Sequence, residues 1–361
     1  MKLRFHHFQR RFGWFLSAIA LSVMTATDLT IPERLVSQPV VTNNCLGSAD
    51  PKTVAISWEK LKNPIISFPE QAAKDMTVRF VDGKWHMLFS YISDNPFRFQ
   101  IGGVNSTDLS DWSTDDVKVW DRSVSGGLAS PEVVQAPDGR YVTVFNSHTY
   151  DLRSLFSESR NKLYYRTSSD FQIWSTMNRL GEKAWSAPED RLIDAAIAYT
   201  EAGIIVVAKK EQTPYFAIST SGSLDGPWEE IGKPTFASLE NYQLLQIDGV
   251  WHLLGTTLRQ PKGYDRAHLP ALYRLIGNPS DPQGWLEWER VGILDVPQES
   301  WNQGYERANS AHLCDARAAD GYFYLFYAGS NDRDSFNGRG HAKIGVARSR
   351  DLKTWSIPGQ P

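Results

Sequence analysis

Ser106-Thr107-Asp108-Leu109-Ser110-Asp111-Trp112, Ser168-Ser169-Asp170-Phe171-Gln172-Ile173-Trp174 and Ser349-Arg350-Asp351-Leu352-Lys353-Thr354-Trp355 are three copies of one pattern. In each, a turn rich in Ser and Asp ends in Trp and follows a β-like run. Ser221 to Trp228 is a copy with one extra residue, and Ser280 to Trp285 or Trp288 is a degraded one. The copies recur at roughly 55–67 residues, a period that signals stacked repeats.

A second series runs in step with the first. Turns at Asp82-Gly83, Asp138-Gly139, Glu201-Ala202-Gly203, Asp248-Gly249 and Asp320-Gly321 each precede an apolar strand such as Tyr141-Val142-Thr143-Val144-Phe145. Glycine supplies the positive φ that tight hairpin turns demand. Each unit therefore reads as strand, turn, strand, turn, strand, Trp, strand. Five such units predict an all-β fold, a five-bladed β-propeller of four-stranded antiparallel blades. The last Trp unit ends almost at Pro361, so the stretch Ala55-Ile56-Ser57-Trp58 is expected to complete a blade.

A propeller can use most of 361 residues as one domain, and a 12% aromatic content suits the interfaces between blades. A net charge of −3 offers no basic field for nucleic acid. At the N-terminus, Lys2, Arg4, Arg10 and Arg11 precede an apolar stretch from Phe12 to Ala26, the pattern of a signal peptide. Thr25-Ala26-Thr27 only approximates a cleavage site, and an uncleaved anchor is the alternative. The expected organisation is a signal or anchor over 1–27, a linker over 28–52 and the propeller over 53–361. The protein is expected to be a secreted or periplasmic monomer, associated with membrane only if residues 1–27 stay uncleaved. Cys45 and Cys314 form either one disulfide or two separate thiols, and the sequence leaves both open. No cysteine or histidine cluster suggests zinc.

Counting back from each Gly turn reaches the first strand of each unit, the innermost in a propeller. There the chain carries Asp75, Glu132, Asp194, Glu240 and His312. Carboxylates are costly in apolar strands unless paired, and equivalent positions in radial strands would converge on one funnel. Crowded carboxyls have divergent proton affinities, as glycoside hydrolysis by one acid and one base requires.

At these residues the chain resembles the five-bladed β-propeller glycoside hydrolases of families 43 and 62, over roughly residues 56–358. Lys74-Asp75-Met76-Thr77-Val78 is similar to the blade-1 segment carrying the general base, and the Lys-Asp pair resembles family 62 in particular. Ala129-Ser130-Pro131-Glu132 approximates the Ala-Pro-Glu of blade 2. Ile193-Asp194-Ala195 keeps the Asp of an Ile-Asp-Pro motif and loses the Pro. Glu240 matches the general acid of blade 4, with Asn241 where Gly or Ala is usual. His312 matches an axial histidine that ligates calcium or water. The resemblance implies an inverting hydrolase: Asp75 as base, Glu240 as acid, and Asp194 holding Glu240 protonated by like-charge repulsion. No cofactor is required on this reading, and a structural calcium near His312 is the one metal it brings. The implied substrate is a pentose-containing carbohydrate.

Glu132, His312, Arg307, Trp301 and Tyr305 are the candidate substrate contacts, with Tyr264 as a further aromatic platform. The recurring Trp112, Trp174, Trp228 and Trp355 are assigned to structure, and His86 and His252, at matching positions, to packing. Two rival readings remain, a sugar-binding propeller without turnover and a protein-interaction propeller.

Overall fold

The computed structural model describes residues 43–94, 97–120, 127–148, 161–181, 190–236, 239–304, 306–331 and 342–360. The expected signal or anchor over 1–27 lies outside these residues, as does Tyr305. Blade 1 contains β1 (Gln71–Val81), β2 (Lys84–Asp94), β3 (Phe97–Ser106) and β4 (Lys118–Val119). Blade 2 contains β5 (Leu128–Gln135), β6 (Tyr141–Ser147), β7 (Leu163–Ser168) and β8 (Asn178–Arg179). Blade 3 contains β9 (Leu192–Thr200), β10 (Gly203–Lys210), β11 (Thr213–Ser219) and β12 (Glu229–Gly232). Blade 4 contains β13 (Leu239–Ile247), β14 (Val250–Thr257), β15 (Pro270–Leu275) and β16 (Trp288–Ile293). Blade 5 contains β17 (Asn309–Asp315), β18 (Phe323–Gly329) and β19 (Lys343–Ser349). Every sheet is antiparallel and ordered as the chain runs. The first strands touch all the way round, β1 to β5 to β9 to β13 to β17 and back to β1, which closes the five-bladed propeller.

The Trp turns work as the sequence suggests. Asp170 Oδ1 accepts from the backbone of Gln172 and Ile173, and Asp351 Oδ1 from Lys353 and Thr354. The carboxylate thus mimics a turn's own hydrogen bonding. It holds Leu109, Phe171 and Leu352 at positive φ, and Trp112, Trp228 and Trp355 are buried. Each interface between blades has its own apolar cluster. Leu88 and Ile101 of blade 1 meet Val133 and Phe145 of blade 2. Between blades 3 and 4, Phe216 and Ile205 meet Trp251 and Trp285.

Ring closure differs from the expectation. Ala55–Trp58 forms no strand. The edge of β19 instead pairs through isolated bridges with Ile66 and with Ser356, so blade 5 has three strands and two bridges. Nor is the expected linker a linker from Asn43 onward. Asn43 donates to the carbonyls of Ile197 and Leu244, in blades 3 and 4, at 2.8 and 3.1 Å. Its own carbonyl accepts from Arg79 of blade 1 at 3.1 Å, and Gly47 lies against Gln135 of blade 2. Cys45 is bonded to Cys314 of blade 5. Residues 43–47 therefore plug the axis, three to four residues along the inner strands from the candidate site, and fasten all five blades.

The disulfide spans 269 residues of sequence. Joining positions so far apart removes much entropy from the unfolded chain. Replacing Cys45 and Cys314 together by Ser should cost about 2–5 kcal/mol, read as a lower urea midpoint. An unchanged midpoint would show that the plug's hydrogen bonds hold the ring by themselves.

Candidate active site

All five inner strands carry the same irregularity near their starts. Two residues face one on the second strand: Asp75-Met76, Ser130-Pro131, Asp194-Ala195, Asn241-Tyr242 and Ser310-Ala311. These are β-bulges, which re-aim side chains beside functional sites. The first residue of each has positive φ, between 51° and 57°. Asp and Asn tolerate that conformation better than most residues.

The bulges correct the sequence register. Asp75 and Asp194 are equivalent, but their counterparts in blades 2, 4 and 5 are Ser130, Asn241 and Ser310. Glu240 stands one residue before its bulge, in the ring position of Lys74. Glu132 and His312 stand directly after the bulge, level with Thr77 and Gln243. The Gly turns cannot reveal this, because the distance from bulge to turn varies among the blades.

The ten bulge residues and Glu132 line an open recess on the axis, of about 270 Å³ including the solvent space at its mouth. Asp75 accepts three hydrogen bonds there: from Ser90 at 2.7 Å, Asn241 at 2.9 Å and Ser310 at 2.6 Å. A carboxylate has roughly four acceptor positions, so one remains for a further donor. Asp194 Oδ1 accepts from the Ser130 hydroxyl at 2.7 Å. Burial raises the Asp194 pKa to about 6, the repulsion of Glu240 and Asp75 adding to burial and the nearby Lys209 opposing it.

Glu240 is not among the walls of this recess. Its Oε2 accepts from Lys209 Nζ at 2.7 Å, and His268 Nδ1 lies 3.9 Å from Oε1. Burial alone would raise its pKa, but Lys209, then Lys74, outweigh burial and hold it below the usual carboxylate range. The electrostatics thus run opposite to the expectation that Asp194 keeps Glu240 protonated. Asp194 is shifted upward and Glu240 downward. Lys74 stays charged despite burial, because Asp75, Glu306, Glu240 and Asp194 surround it.

Glu306 is a further carboxyl at this end. It is fully buried, accepts from Asn309 at 3.0 Å and lies 3.9 Å from Lys74. Sequence reasoning missed it, together with Lys209, Ser90, His268 and the three polar bulge residues. Ser130, Asn241 and Ser310 had a signal, since they recur three residues before the apolar Val133, Leu244 and Leu313. Glu306 lies outside the repeated positions, and Lys209 shares its strand register with the dissimilar Ser90, Asn146, Thr256 and Ala328, so neither had one.

The other expected contacts are distributed differently. Glu132 lines the recess, whereas His312 is buried beneath it, with Nδ1 3.5 Å from Glu132 Oε2. Gln243 spends its amide oxygen on the backbone of Leu313, at 2.8 Å. One carboxylate and one imidazole do not fit calcium, which takes six to eight oxygen ligands. Among the described residues no group of three or more His, Cys, Asp or Glu could hold a metal ion. Trp301 is a correction: it is buried, stacks on Tyr327 at 5.6 Å and donates to Glu299, so its faces are used inside blade 5. Arg307 is tied to the Val296 carbonyl at 2.8 Å and lies 3.5 Å from Asp295. Tyr264 packs against the cluster between blades 3 and 4.

No protein-family model matches the chain, and no curated protein matches it. Solved structures do. A glycosyl hydrolase from Bacteroides ovatus is 14% identical, with a TM-score of 0.57 over 83% of this chain and 94% of its own. An α-L-arabinofuranosidase from Lactobacillus brevis is 15% identical, with a TM-score of 0.57 over 85% of this chain and 98% of its own. A third match comes from work on mannoside phosphorylases and hydrolases of family GH130, acting on β-1,2 mannosidic linkages in Candida mannan. It is 14% identical, with a TM-score of 0.56 over 83% and 94%. At these identities the likeness establishes a shared five-bladed propeller fold.

The raised Asp194 pKa has a consequence for stability. The unfolded carboxyl titrates near 3.8 and the folded one near 6, so folding favours the protonated form. Stability is therefore lost as pH rises between these values, and the deficit is fully present above about 6. Asp194→Asn should raise stability at pH 8 by about 3 kcal/mol, and the gain should vanish by pH 4. Thermal unfolding at the two pH values checks this. An Asn variant that is less stable at pH 8 would show that folding favours the ionised carboxyl over the protonated one.

Proposed function

We propose that the protein is a glycoside hydrolase that cleaves O-glycosidic bonds by an inverting acid/base mechanism. The observation that carries this reading is the axial recess, in which Asp75 and Asp194 occupy equivalent bulges on non-adjacent blades, with Glu240 beside the bulge of blade 4. Hydrolysis with inversion needs such a pair, one to activate water and one to protonate the departing oxygen, about 6.5–9.5 Å apart. Asp75 is the base. Ser90, Asn241 and Ser310 fix its carboxylate, and its remaining acceptor position is available to the attacking water. As water attacks the anomeric carbon, Asp75 takes its proton. The second carboxyl gives a proton to the leaving oxygen as the carbon–oxygen bond breaks.

Dipoles and hydrogen bonds already in place around such groups need no reorganisation during reaction, which is the main way proteins stabilise charge in transition states. The substrate class we propose is an arabinose- or xylose-containing oligosaccharide or polysaccharide. The likeness to an α-L-arabinofuranosidase supports it, as do the Lys74-Asp75 pair and its surroundings. Secretion or periplasmic location, as a monomer, is part of the same reading.

One observation favours a second reading, a sugar-binding propeller without turnover: Glu240 is held by Lys209. The protein-interaction reading finds less support. Among the described residues the exposed large apolar side chains are Val119, Ile173, Val250, Ile276 and Val291, with no aromatic among them.

The full chain and Asp75→Asn should be assayed on 4-nitrophenyl α-L-arabinofuranoside, β-D-xyloside and β-D-galactoside and on arabinoxylan. Turnover is expected on a pentoside, with the first-formed sugar inverted by NMR and a loss of about 10²–10⁴-fold in the variant. Binding to arabinoxylan with no turnover on any substrate would establish the second reading instead.

A further inference from the structure

The reaction as proposed leaves the Glu306 carboxyl without a task, although it is fully buried. The segment ahead of β17 is fastened there by its backbone. Gly304 N–H donates to the Ser330 carbonyl at 2.8 Å, and Ser330 N–H donates to the Glu306 carbonyl at 2.8 Å. Asn309 Nδ2 donates to Glu306 Oε1 at 3.0 Å. Among the described residues Glu306 Oε2 has no hydrogen-bond partner. Burying a carboxyl with one oxygen unpartnered is costly, and such a group calls for a reason other than packing.

The charged neighbour of Glu306 is Lys74, the residue before the bulge of blade 1. Lys74 Nζ lies 3.9 Å from Glu306 Oε1 and 3.7 Å from Asp75 Oδ1. Both separations exceed hydrogen-bond length, so the ammonium stands back from each carboxyl. Asp75 Oδ1 already accepts from Asn241 and Ser310, and Oδ2 accepts from Ser90. A lysine that moved about 1 Å closer to Asp75 would reach the length of a charge-assisted hydrogen bond. It would then displace one of those donors or take the last acceptor position, on Oδ2, which the attacking water needs.

Resting on the hydrolase reading above, we infer that Glu306 is a positioning residue that holds Lys74 back from Asp75. The base thereby keeps a positive neighbour, which favours its ionised form, and keeps one acceptor position open to water. The hold is a balance of charges. Two carboxylates at such similar distances pull on Nζ about equally, and removing one lets the lysine close on the other. Both ends of the Lys74–Glu306 pair are enclosed, at 8% and 0% exposure, so salt and water screen the pull little.

Other groups face the same space. Around Asp75 they are Lys74 on its own strand, Glu132 on β5, Asp194 on β9, Glu240 on β13 and Glu306 ahead of β17. Glu240 and Asp194 also attract Lys74, but less than Asp75 and Glu306 do. They stand on blades 4 and 3, which do not adjoin blade 1, and Lys209 already engages Glu240 at 2.7 Å.

The test crosses Glu306→Gln with Lys74→Met in the full chain. Gln keeps the shape of the side chain and accepts the Asn309 bond through its amide oxygen. The double variant leaves neither charge buried alone, so it also controls for folding. The first readout needs no turnover and follows the side-chain carboxyl ¹³C shift of Asp75 against pH. With Lys74 present, Glu306→Gln should lower the Asp75 titration midpoint, because the lysine closes on it. With Lys74→Met in place, the same change should have a much smaller effect. Equal shifts in the two backgrounds, or none in either, would show that Glu306 does not act through Lys74 and overturn the inference. The second readout is turnover of 4-nitrophenyl α-L-arabinofuranoside. Glu306→Gln should lose about 10–10²-fold in kcat, with the acid limb of its pH profile moved to lower pH. Adding Lys74→Met should recover about tenfold of that loss, a coupling of the size found within one charged network, and move the acid limb back upward. A double variant no more active than Glu306→Gln overturns the inference with the hydrolase reading intact. No turnover of any glycoside by the wild type overturns the hydrolase reading, and the role of Glu306 with it, whatever the titration shows.

Discussion

The structure depends on five backbone distortions. Each inner strand takes an extra residue in a left-handed conformation, a cost of roughly 1–2 kcal/mol at a residue with a side chain. That cost is offset because the bulge aims polar side chains into one space. Other blades then supply the hydrogen bonds: Ser310 of the adjacent blade 5 and Asn241 of blade 4, across the axis, to Asp75, and Ser130 of blade 2 to Asp194. Remove the bulges and the same strands would send alternate side chains into the interfaces and the axis without bringing two carboxyls together. The apolar clusters between blades supply the stability that makes such strain tolerable.

Charge is managed by the same geometry. Asp75, Asp194, Glu240 and Glu306 crowd one end of the axis with Lys74 and Lys209 among them. An ion pair in such a place is weak support for stability, since desolvation consumes most of the attraction. Its effect is to set which carboxyl holds a proton. Lys209 holds the Glu240 pKa down, and burial with Glu240 and Asp75 nearby pushes that of Asp194 up. At the other end the N-terminal plug and Cys45–Cys314 fasten the blades, so the inner strands are held at both ends of the recess-bearing segment.

Much of this was legible beforehand. The spaced Trp turns gave the number of blades, because an Asp turn with a buried Trp is a local device that works in any blade. Asp75 and Asp194 were found because a carboxylate in an apolar strand is anomalous wherever it occurs. Glu240 was found for the same reason, yet its electrostatic state was not, because Lys209 lies 31 residues away and on another blade. Trp301 was misread: an aromatic in a long segment looks the same whether its face meets solvent or Tyr327. Glu132 and His312 were placed level with the acids because turn spacing is an uncertain ruler when a strand contains a bulge.

The sequence alone determined the periodic features: the all-β class, the fivefold repeat, and the presence of acids in the first strands. These are set by local chemistry, by hydrogen bonds and hydrophobic faces within a few residues. Only the tertiary structure decided which acids face one another, which way their proton affinities are pushed, how residues 43–47 close the axis, and that Cys45 meets Cys314. Those depend on backbone register at the bulges and on fields between blades. Both arise from residues distant in sequence, whose meeting no local pattern encodes.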